Sequence, residues 1–193
     1  NNLIKSINLP NVTSIGSHCL ICNEALEEIK LPKVKKIGAN FLESNLSLKE
    51  VNFPLLESCG ESFLSSNLLI TSVNLPNLKE CGNNFLMNDN LLEKLDLPSL
   101  IKCEDYFLSY NKCINSVYMP HLKICGKRFL SDNVELSNID LPNLTTIGDY
   151  FLFDNDRIKN LYLPKLEEAG NQFLYSNRKL EKAYFPELIQ VGS

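Results

Sequence analysis

Cysteine and histidine are the residue types in this chain that first suggest chemistry. Cys19 and Cys22 form a C-x-x-C motif, and His18 directly precedes it. Such a combination can bind zinc or exchange disulfides. A zinc site needs four converging ligands, however, and the chain has no second C-x-x-C motif. The only other histidine, His121, lies far along the chain, so no catalytic triad can use both. We therefore predict no metal site, no cofactor and no catalytic residue.

The acidic residues and glycines do not change that interpretation. Acid pairs such as Glu27-Glu28 and Glu167-Glu168 are read most simply as solvated surface. All eight glycines occupy one position of a repeat, which leaves no glycine-rich loop for a phosphate. Nothing combines a nucleophile, a base and a pocket, so the sequence predicts a protein that is not an enzyme and has no small-molecule substrate.

Charge and hydropathy narrow the class of partner. The net charge is -4 and the isoelectric point is near 5.3, without the basic field that binds nucleic acid. No apolar run approaches the roughly 18 to 20 residues that cross a bilayer, so we predict no membrane insertion. Residues 1–193 are expected to form one domain.

Proline and glycine reveal an internal repeat of 22 residues. The glycines follow the prolines by six positions, and Glu104 takes the place of one of them. The nine prolines, each 22 residues from the next, are Pro10, Pro32, Pro54, Pro76, Pro98, Pro120, Pro142, Pro164 and Pro186. A fixed period of this length is the signature of a stacked solenoid, here of about nine coils.

Each coil contains a segment such as residues 26–31, in which alternating apolar positions predict a short strand that ends before the proline. Stacked strands lie about 4.8 Å apart in a parallel sheet, so nearly nine coils extend roughly 40 Å. Residues 12–15 and their equivalents predict a second short strand, and the Gly-x-x-Phe-Leu segment predicts a helical turn on the far side. We expect the glycine to supply a positive φ, which would strain the corner at Glu104 or require it to be rebuilt.

Asparagine and cysteine also recur in the repeat. An asparagine stands thirteen positions after seven of the prolines, with Asp89 in an eighth coil. It can adopt left-handed geometry and bond the backbone of the next coil, which predicts a structural ladder. Four of the seven cysteines share one inward apolar position and are expected to be reduced core residues: Cys59, Cys81, Cys103 and Cys125.

The consensus L-x-x-I-x-L-P-x-L-x-x-I-G-x-x-F-L-x-x-N-x-x resembles the leucine-rich repeat superfamily, and within it the BspA-like, Treponema-type subclass. The resemblance rests on segments such as Leu31-Pro32, Ile37-Gly38 and Phe41-Leu42, and it covers the whole chain. The unit is one residue shorter than usual, and asparagine stands where many members carry cysteine. The resemblance implies a β-rich α/β repeat fold: a right-handed solenoid with a parallel concave sheet and helical turns on its convex side.

The resemblance also implies an interaction surface rather than catalysis, in bacterial surface proteins, in effectors delivered into host cells and in protist proteins. The chain has no initiator methionine and begins and ends within a repeat. We therefore expect a fragment of a longer protein that lacks its terminal caps.

The side chains between the apolar strand positions are predicted to face the concave surface. Exposed tyrosine is a favoured interface anchor because it offers a rigid apolar area with a polar tip, and all seven tyrosines lie in the second half of the chain. We predict that a partner protein binds there, through Tyr118, Asp140, Tyr162, Tyr184, Asp96, Lys94, Asn160 and Lys182. The competing interpretation is that these tyrosines only cover neighbouring coils.

Several alternatives stay open at this level. Tyr106, Tyr110, Tyr150, Phe153 and Tyr175 are predicted to form a rival patch or a self-association surface on the opposite or lateral side. The chain is predicted to act by occupancy, through recruitment, scaffolding or occlusion, for example as a bacterial effector or effector regulator. A cell-surface adhesin that binds extracellular host ligands is the main alternative, and a structural spacer is a third. The free thiols favour the bacterial or host cytosol over a secreted or cell-surface location.

Overall fold

The structure is a computed structural model that describes residues 3–88 and 91–193. Each coil contains a three-residue strand, a corner marked by proline, a two-residue strand and a connecting turn. The three-residue strands are β1 Ser6–Asn8, β3 Glu28–Lys30, β5 Glu50–Asn52, β7 Ser72–Asn74, β9 Lys94–Asp96, β11 Ser116–Tyr118, β13 Asn138–Asp140, β15 Asn160–Tyr162 and β17 Lys182–Tyr184. The two-residue strands are β2 Ser14–Ile15, β4 Lys36–Ile37, β6 Ser58–Cys59, β8 Glu80–Cys81, β10 Lys102–Cys103, β12 Ile124–Cys125, β14 Thr146–Ile147, β16 Glu168–Ala169 and β18 Gln190–Val191.

Both kinds of strand stack in parallel. The two-residue strands form one nine-stranded sheet that runs from β2 to β18. The three-residue strands form four hydrogen-bonded groups: β1–β3, β5–β7, β9–β11–β13 and β15–β17. Paired residues are 22 apart, as Tyr118 and Asp140 show, which confirms the predicted in-register stacking into a parallel β-solenoid.

The connecting turns differ from the prediction, because the described residues contain no helix. Instead, alternate turn residues have a positive φ, for example 56° at each of Asn40, Leu42 and Ser44. The N–H groups of Asn40 and Ser44 donate to the following coil, at 2.7 and 3.0 Å, whereas the N–H of Leu42 donates to the preceding coil at 3.3 Å. A helical turn would satisfy its backbone locally. The alternating conformation replaces it because it directs hydrogen bonds to both neighbouring coils.

The prediction for glycine is also wrong, since none of the glycines has a positive φ. Glycine is required because neighbouring coils approach closely at this corner: a Cβ added to Gly148 would lie 2.6 Å from the Gly126 carbonyl carbon and from the Lys127 nitrogen. Glu104 likewise has no positive φ, so the expected strain in φ is absent. The hydrogen bond from the Glu104 N–H to the Cys81 carbonyl is 3.3 Å long, against 2.9 to 3.1 Å for the equivalent bonds of the glycines, so the bond between coils is kept at this corner.

The core is a column of phenylalanine rings enclosed by leucines. Six rings, one from each of six successive coils, are fully buried and lie 5.0 to 6.2 Å from the next ring, with planes 3° to 18° apart. They are Phe41, Phe63, Phe85, Phe107, Phe129 and Phe151. Burying each such side chain contributes roughly 1.5 to 3 kcal/mol. Because every ring touches the next coil, the column stabilises the stack rather than any single coil.

The asparagine ladder is confirmed as a structural feature. Asn155 is fully buried, and its Oδ1 accepts the N–H of Asn133 at 3.2 Å while its Nδ2 donates to the Leu130 carbonyl at 2.9 Å. Both bonds join Asn155 to the preceding coil, whereas the sequence predicted bonds to the following coil. The left-handed conformation belongs to the residue before the asparagine, Asp154, rather than to the asparagine itself. Asp89 lies outside the described residues.

Candidate functional site

The two cysteines of the C-x-x-C motif have different environments in the structure. Cys22 is exposed and Cys19 is half-buried against the core, with its Sγ 3.8 Å from the Ser17 carbonyl. Among residues 3–88 and 91–193, no three His, Cys, Asp or Glu side chains are arranged to hold a metal ion. His121 is exposed, and its Nδ1 lies 2.6 Å from the Pro98 carbonyl oxygen.

The four stacked cysteines are buried free thiols, in agreement with their predicted core role. Strand pairing places Cys59 beside Cys81, Cys81 beside Cys103 and Cys103 beside Cys125. Burial raises the pKa of each of these thiols well above its usual value. Since the thiolate is the reactive form, these four residues act as small apolar side chains.

We define the long-strand face as the exposed side chains at the first and third residues of the three-residue strands. All eight predicted partner-binding residues lie exposed on this face. The third residues form one row and the first residues form a parallel row about 7 Å away, which is two residues along a strand. The row of third residues reads Asn8, Lys30, Asn52, Asn74, Asp96, Tyr118, Asp140, Tyr162 and Tyr184.

Two of the tyrosines on this face form a stacked pair. The rings of Tyr162 and Tyr184 are 5.6 Å apart and inclined by 11°, and the two side chains are 60% and 59% exposed. Their Cα atoms are partners in the β15–β17 ladder, so the backbone holds the rings in register. Stacking restricts both rings before any partner arrives, which lowers the entropy that binding would cost. Each of the two side chains still exposes more than half of its surface.

Tyr118 stands between two carboxylates in the same row. Its Cα pairs with Asp96 on one side and with Asp140 on the other, within the hydrogen-bonded group β9–β11–β13. A shallow groove beside it is lined by Ser116, Asn138 and Asn160 as well as by Tyr118 and Asp140. The structure therefore joins six of the predicted residues into two adjacent groups, one around Tyr118 and one around the Tyr162–Tyr184 pair.

Within the described residues, no ion pair involves Lys94, Asp96, Asp140 or Lys182. The first half of the same face does form such a pair, with the Lys30 ammonium 2.6 Å from the Glu28 carboxylate. The tyrosine-rich half thus presents charges that a partner can neutralise.

The turns carry a second aromatic cluster, which we call the turn-face cluster: Tyr106, Arg128, Tyr150, Phe153 and Tyr175. The Arg128 guanidinium lies 4.7 Å from the Tyr150 ring centre, 5.5 Å from that of Phe153 and 6.0 Å from that of Tyr106. Phe153 also stacks on Tyr175 at 5.6 Å. The sequence predicts a patch of these aromatic residues, and the place of Arg128 among them is new in the structure. The signal was available, since Arg128 occupies the same repeat position as Tyr106 and Tyr150 in the coils on either side.

Asp132 completes the surroundings of Arg128. Its Oδ2 lies 3.9 Å from the arginine Nη1. Partial burial raises the pKa of the Asp132 carboxyl, while a hydrogen bond from Ser131 opposes that rise, Asp154 adds to it and Arg128 lowers it. The arginine is therefore held between aromatic rings and a carboxylate, and only 27% of its side chain is exposed. Tyr110, the fifth aromatic of the predicted rival patch, instead lines a neighbouring groove with Asp132.

No helix in the described part of the chain is long and apolar enough to span a membrane.

Comparison with solved structures identifies the same kind of solenoid in a bacterial protein. A leucine-rich repeat protein from Bacteroides ovatus aligns over 98% of this chain and 63% of its own, at 17% identity and a TM-score of 0.54. The chain thus spans less than two thirds of that protein's length. The pneumococcal vaccine antigen PcpA aligns over 98% of this chain and 68% of its own, at 16% identity and a TM-score of 0.48. A leucine rich cell surface protein from Faecalibacterium prausnitzii covers 95% and 79%, at 14% identity and a TM-score of 0.39.

No curated protein matches the chain in sequence. The family model for the BspA type leucine rich repeat region, which contains six copies of the repeat, matches residues 1–93 and again residues 79–193. With the two matches covering every coil of the solenoid, this chain belongs to the BspA-type leucine-rich repeat family.

Proposed function

We propose that this chain is a protein-binding module that holds its partner on the long-strand face, centred on Tyr118, Tyr162 and Tyr184. Solenoids of this kind are typical of repeat proteins that act by binding rather than by catalysis, and the stacked coils create extended binding surfaces. The observation that carries the proposal is the in-register row of exposed tyrosines, beside charges that form no ion pair with the described residues.

Binding through this row requires no conformational change in the solenoid. The tyrosines stand on strands that hydrogen bonds fix, and the rings of one pair already restrict each other. A bound partner would gain rigid apolar area at low entropic cost, while the unpaired charges would select its orientation. The module would then act by occupancy, through recruitment, scaffolding or occlusion of a partner's own functional surface, as in an effector or an effector regulator.

The test compares three forms of the protein in affinity capture from extracts of the source organism or its host, followed by quantitative mass spectrometry. They are the wild type, the triple variant Tyr118→Ala/Tyr162→Ala/Tyr184→Ala, and the control variant Tyr110→Ala/Tyr175→Ala. We expect a protein that the wild type and the control recover and the triple variant does not. Equal recovery by all three forms, with circular dichroism showing intact folding, would refute the proposal. Loss only in the control would move the binding surface to the turns.

We further propose that the protein works in a reducing compartment, the bacterial or host cytosol. Cys22 is exposed as a free thiol, and exposed thiols in secreted proteins tend to oxidise or pair. Thiol titration of protein purified from its natural source without reductant should therefore find Cys22 free. Finding it blocked or disulfide-linked would favour the adhesin-like, extracellular alternative.

A further inference from the structure

The long-strand face and the surroundings of Arg128 on the turns share one combination of groups: an aromatic ring and a carboxylate near each other. On the turns, the ring of Tyr150 and the carboxylate of Asp132 both contact Arg128, at 4.7 and 3.9 Å. The chain itself supplies the cation there. The combination is attractive to a guanidinium because the ring face and the carboxylate are both electron-rich.

On the long-strand face, none of the described residues supplies a cation to the same combination. Asp96, Tyr118 and Asp140 lie side by side in register, so the two aspartate Cα atoms flank the tyrosine at about 4.8 Å on either side. The nearest cation along the strand is Lys94, two residues before Asp96. The Glu28–Lys30 pair on β3 shows that side chains two residues apart on a strand of this face can reach each other, at 2.6 Å. In the described part of the chain, Lys94 and Asp96 form no such pair.

We infer that Asp96, Tyr118 and Asp140 accept an arginine side chain from the partner protein, with the guanidinium on the Tyr118 ring and its N–H groups donating to the two carboxylates. The inference rests on the proposed function, since it names the chemistry that the partner must bring to the same face. A planar guanidinium suits this site because it can stack on a ring and donate in two directions at once.

The neighbouring row of side chains restricts how the partner can be oriented at this site. Beside Asp96, Tyr118 and Asp140, the first residues of the same three strands are Lys94, Ser116 and Asn138. The ammonium of Lys94 repels a second cation from that row. The partner should therefore place its arginine over the row of Tyr118 and turn neutral or acidic side chains towards Lys94, which is a requirement of charge complementarity.

The test uses N-acetyl-arginine amide as the probe and follows the ring signals of Tyr118 by NMR. N-acetyl-citrulline amide is the matched neutral probe, since it has nearly the same shape without the charge. We expect saturable shifts at Tyr118 with the arginine probe and at least fivefold weaker binding of citrulline. The variant Asp96→Asn/Asp140→Asn should bind arginine at least fivefold more weakly. The control variant Glu80→Gln/Glu168→Gln, which loses the same two charges on the two-residue strands, should bind arginine as the wild type does.

Three results would overturn the inference: equal binding of the two probes, an unchanged affinity in the Asp96→Asn/Asp140→Asn variant, or an equal loss in the control variant, which would indicate only general electrostatics. These results are distinct from failure of the proposed function. If capture of a partner depends on the tyrosines but the arginine probe does not bind, the binding face is right and its preference for arginine is wrong. If the probe binds but capture does not depend on the tyrosines, the proposed function fails and the arginine site remains.

Discussion

Replacing Asn155 with alanine should destabilise the solenoid far more than its small size suggests. The side chain is fully buried and joins two coils through two hydrogen bonds: its Oδ1 accepts from Asn133 N–H at 3.2 Å, and its Nδ2 donates to Leu130 C=O at 2.9 Å. Alanine would leave both backbone groups without these partners in the core. A buried polar group that loses its partner costs about 1 to 3 kcal/mol, so the two together should cost about 2 to 6 kcal/mol.

Such a loss is a large fraction of the roughly 5 to 15 kcal/mol that separates folded from unfolded states in most domains. The change can be followed by urea unfolding monitored by circular dichroism, together with hydrogen exchange of the amides of Asn133 and its neighbours. The matched control is Asn138→Ala, which removes the same side chain from the exposed long-strand face, where its Nδ2 contacts only Ser137 Oγ at 3.2 Å in the described structure. Exposed substitutions of that kind usually change stability by about 0.5 kcal/mol or less.

Equal effects of the two substitutions would refute the reasoning. They would mean that water or a relaxed backbone satisfies the groups in the Asn155→Ala variant, so that the ladder is not the connection between coils that its geometry suggests. Faster hydrogen exchange that is confined to the two coils joined by Asn155 would instead agree with the reasoning, because each coil contacts mainly its neighbours.

Three further predictions follow from packing and charge. Gly148→Ala should lower the free energy of unfolding by about 1 to 3 kcal/mol through overpacking. Gly16→Ala should be neutral or slightly stabilising, because nothing lies within 4 Å of a Cβ added there. Equal urea midpoints for the two variants would contradict this prediction. Asp132→Asn should be more stable than the wild type at pH 7, because the carboxyl whose pKa is raised must be charged there, and its advantage should shrink as the pH falls through that raised pKa. An advantage that grows towards acid would show the opposite sign. With Ellman's reagent, Cys22 should react within minutes in the native protein, and mass spectrometry should find modification only after unfolding at Cys59, Cys81, Cys103 and Cys125.

The stacking of the coils could be predicted from sequence because proline spacing and alternating apolar residues report directly on strands. The consequences of that stacking could not be predicted as well. Glycine at a corner suggests a positive φ, because that is its most common use. At Gly148 the reason is instead the approach of the preceding coil, which depends on the distance between coils and not on the local sequence. Leu42 has a positive φ with no local sequence signal at all, since leucine rarely adopts it and only the bonds between coils favour it here.

The candidate site could likewise be predicted from the sequence only in part. Alternation along a strand was enough to place Tyr118, Tyr162 and Tyr184 on an exposed face, because side chains of a strand alternate between its two sides. The stacking of Tyr162 on Tyr184 follows from their equivalent repeat positions. The environment of Arg128 was missed because it requires three coils to be compared at one repeat position, and because the contacts of a long side chain depend on its rotamer.

The ladders that join coils in 22-residue register also govern how the length of such a protein can change. A duplication or deletion of one whole repeat would keep the asparagine, phenylalanine and glycine positions in register, while a shift of a single residue would put all of them out of register at the junction. The length of the solenoid therefore changes in steps of one coil. Recombination between repeats can lengthen the exposed row by one side chain at a time, so the footprint on a target can grow or shrink while the hydrophobic interior needs no redesign.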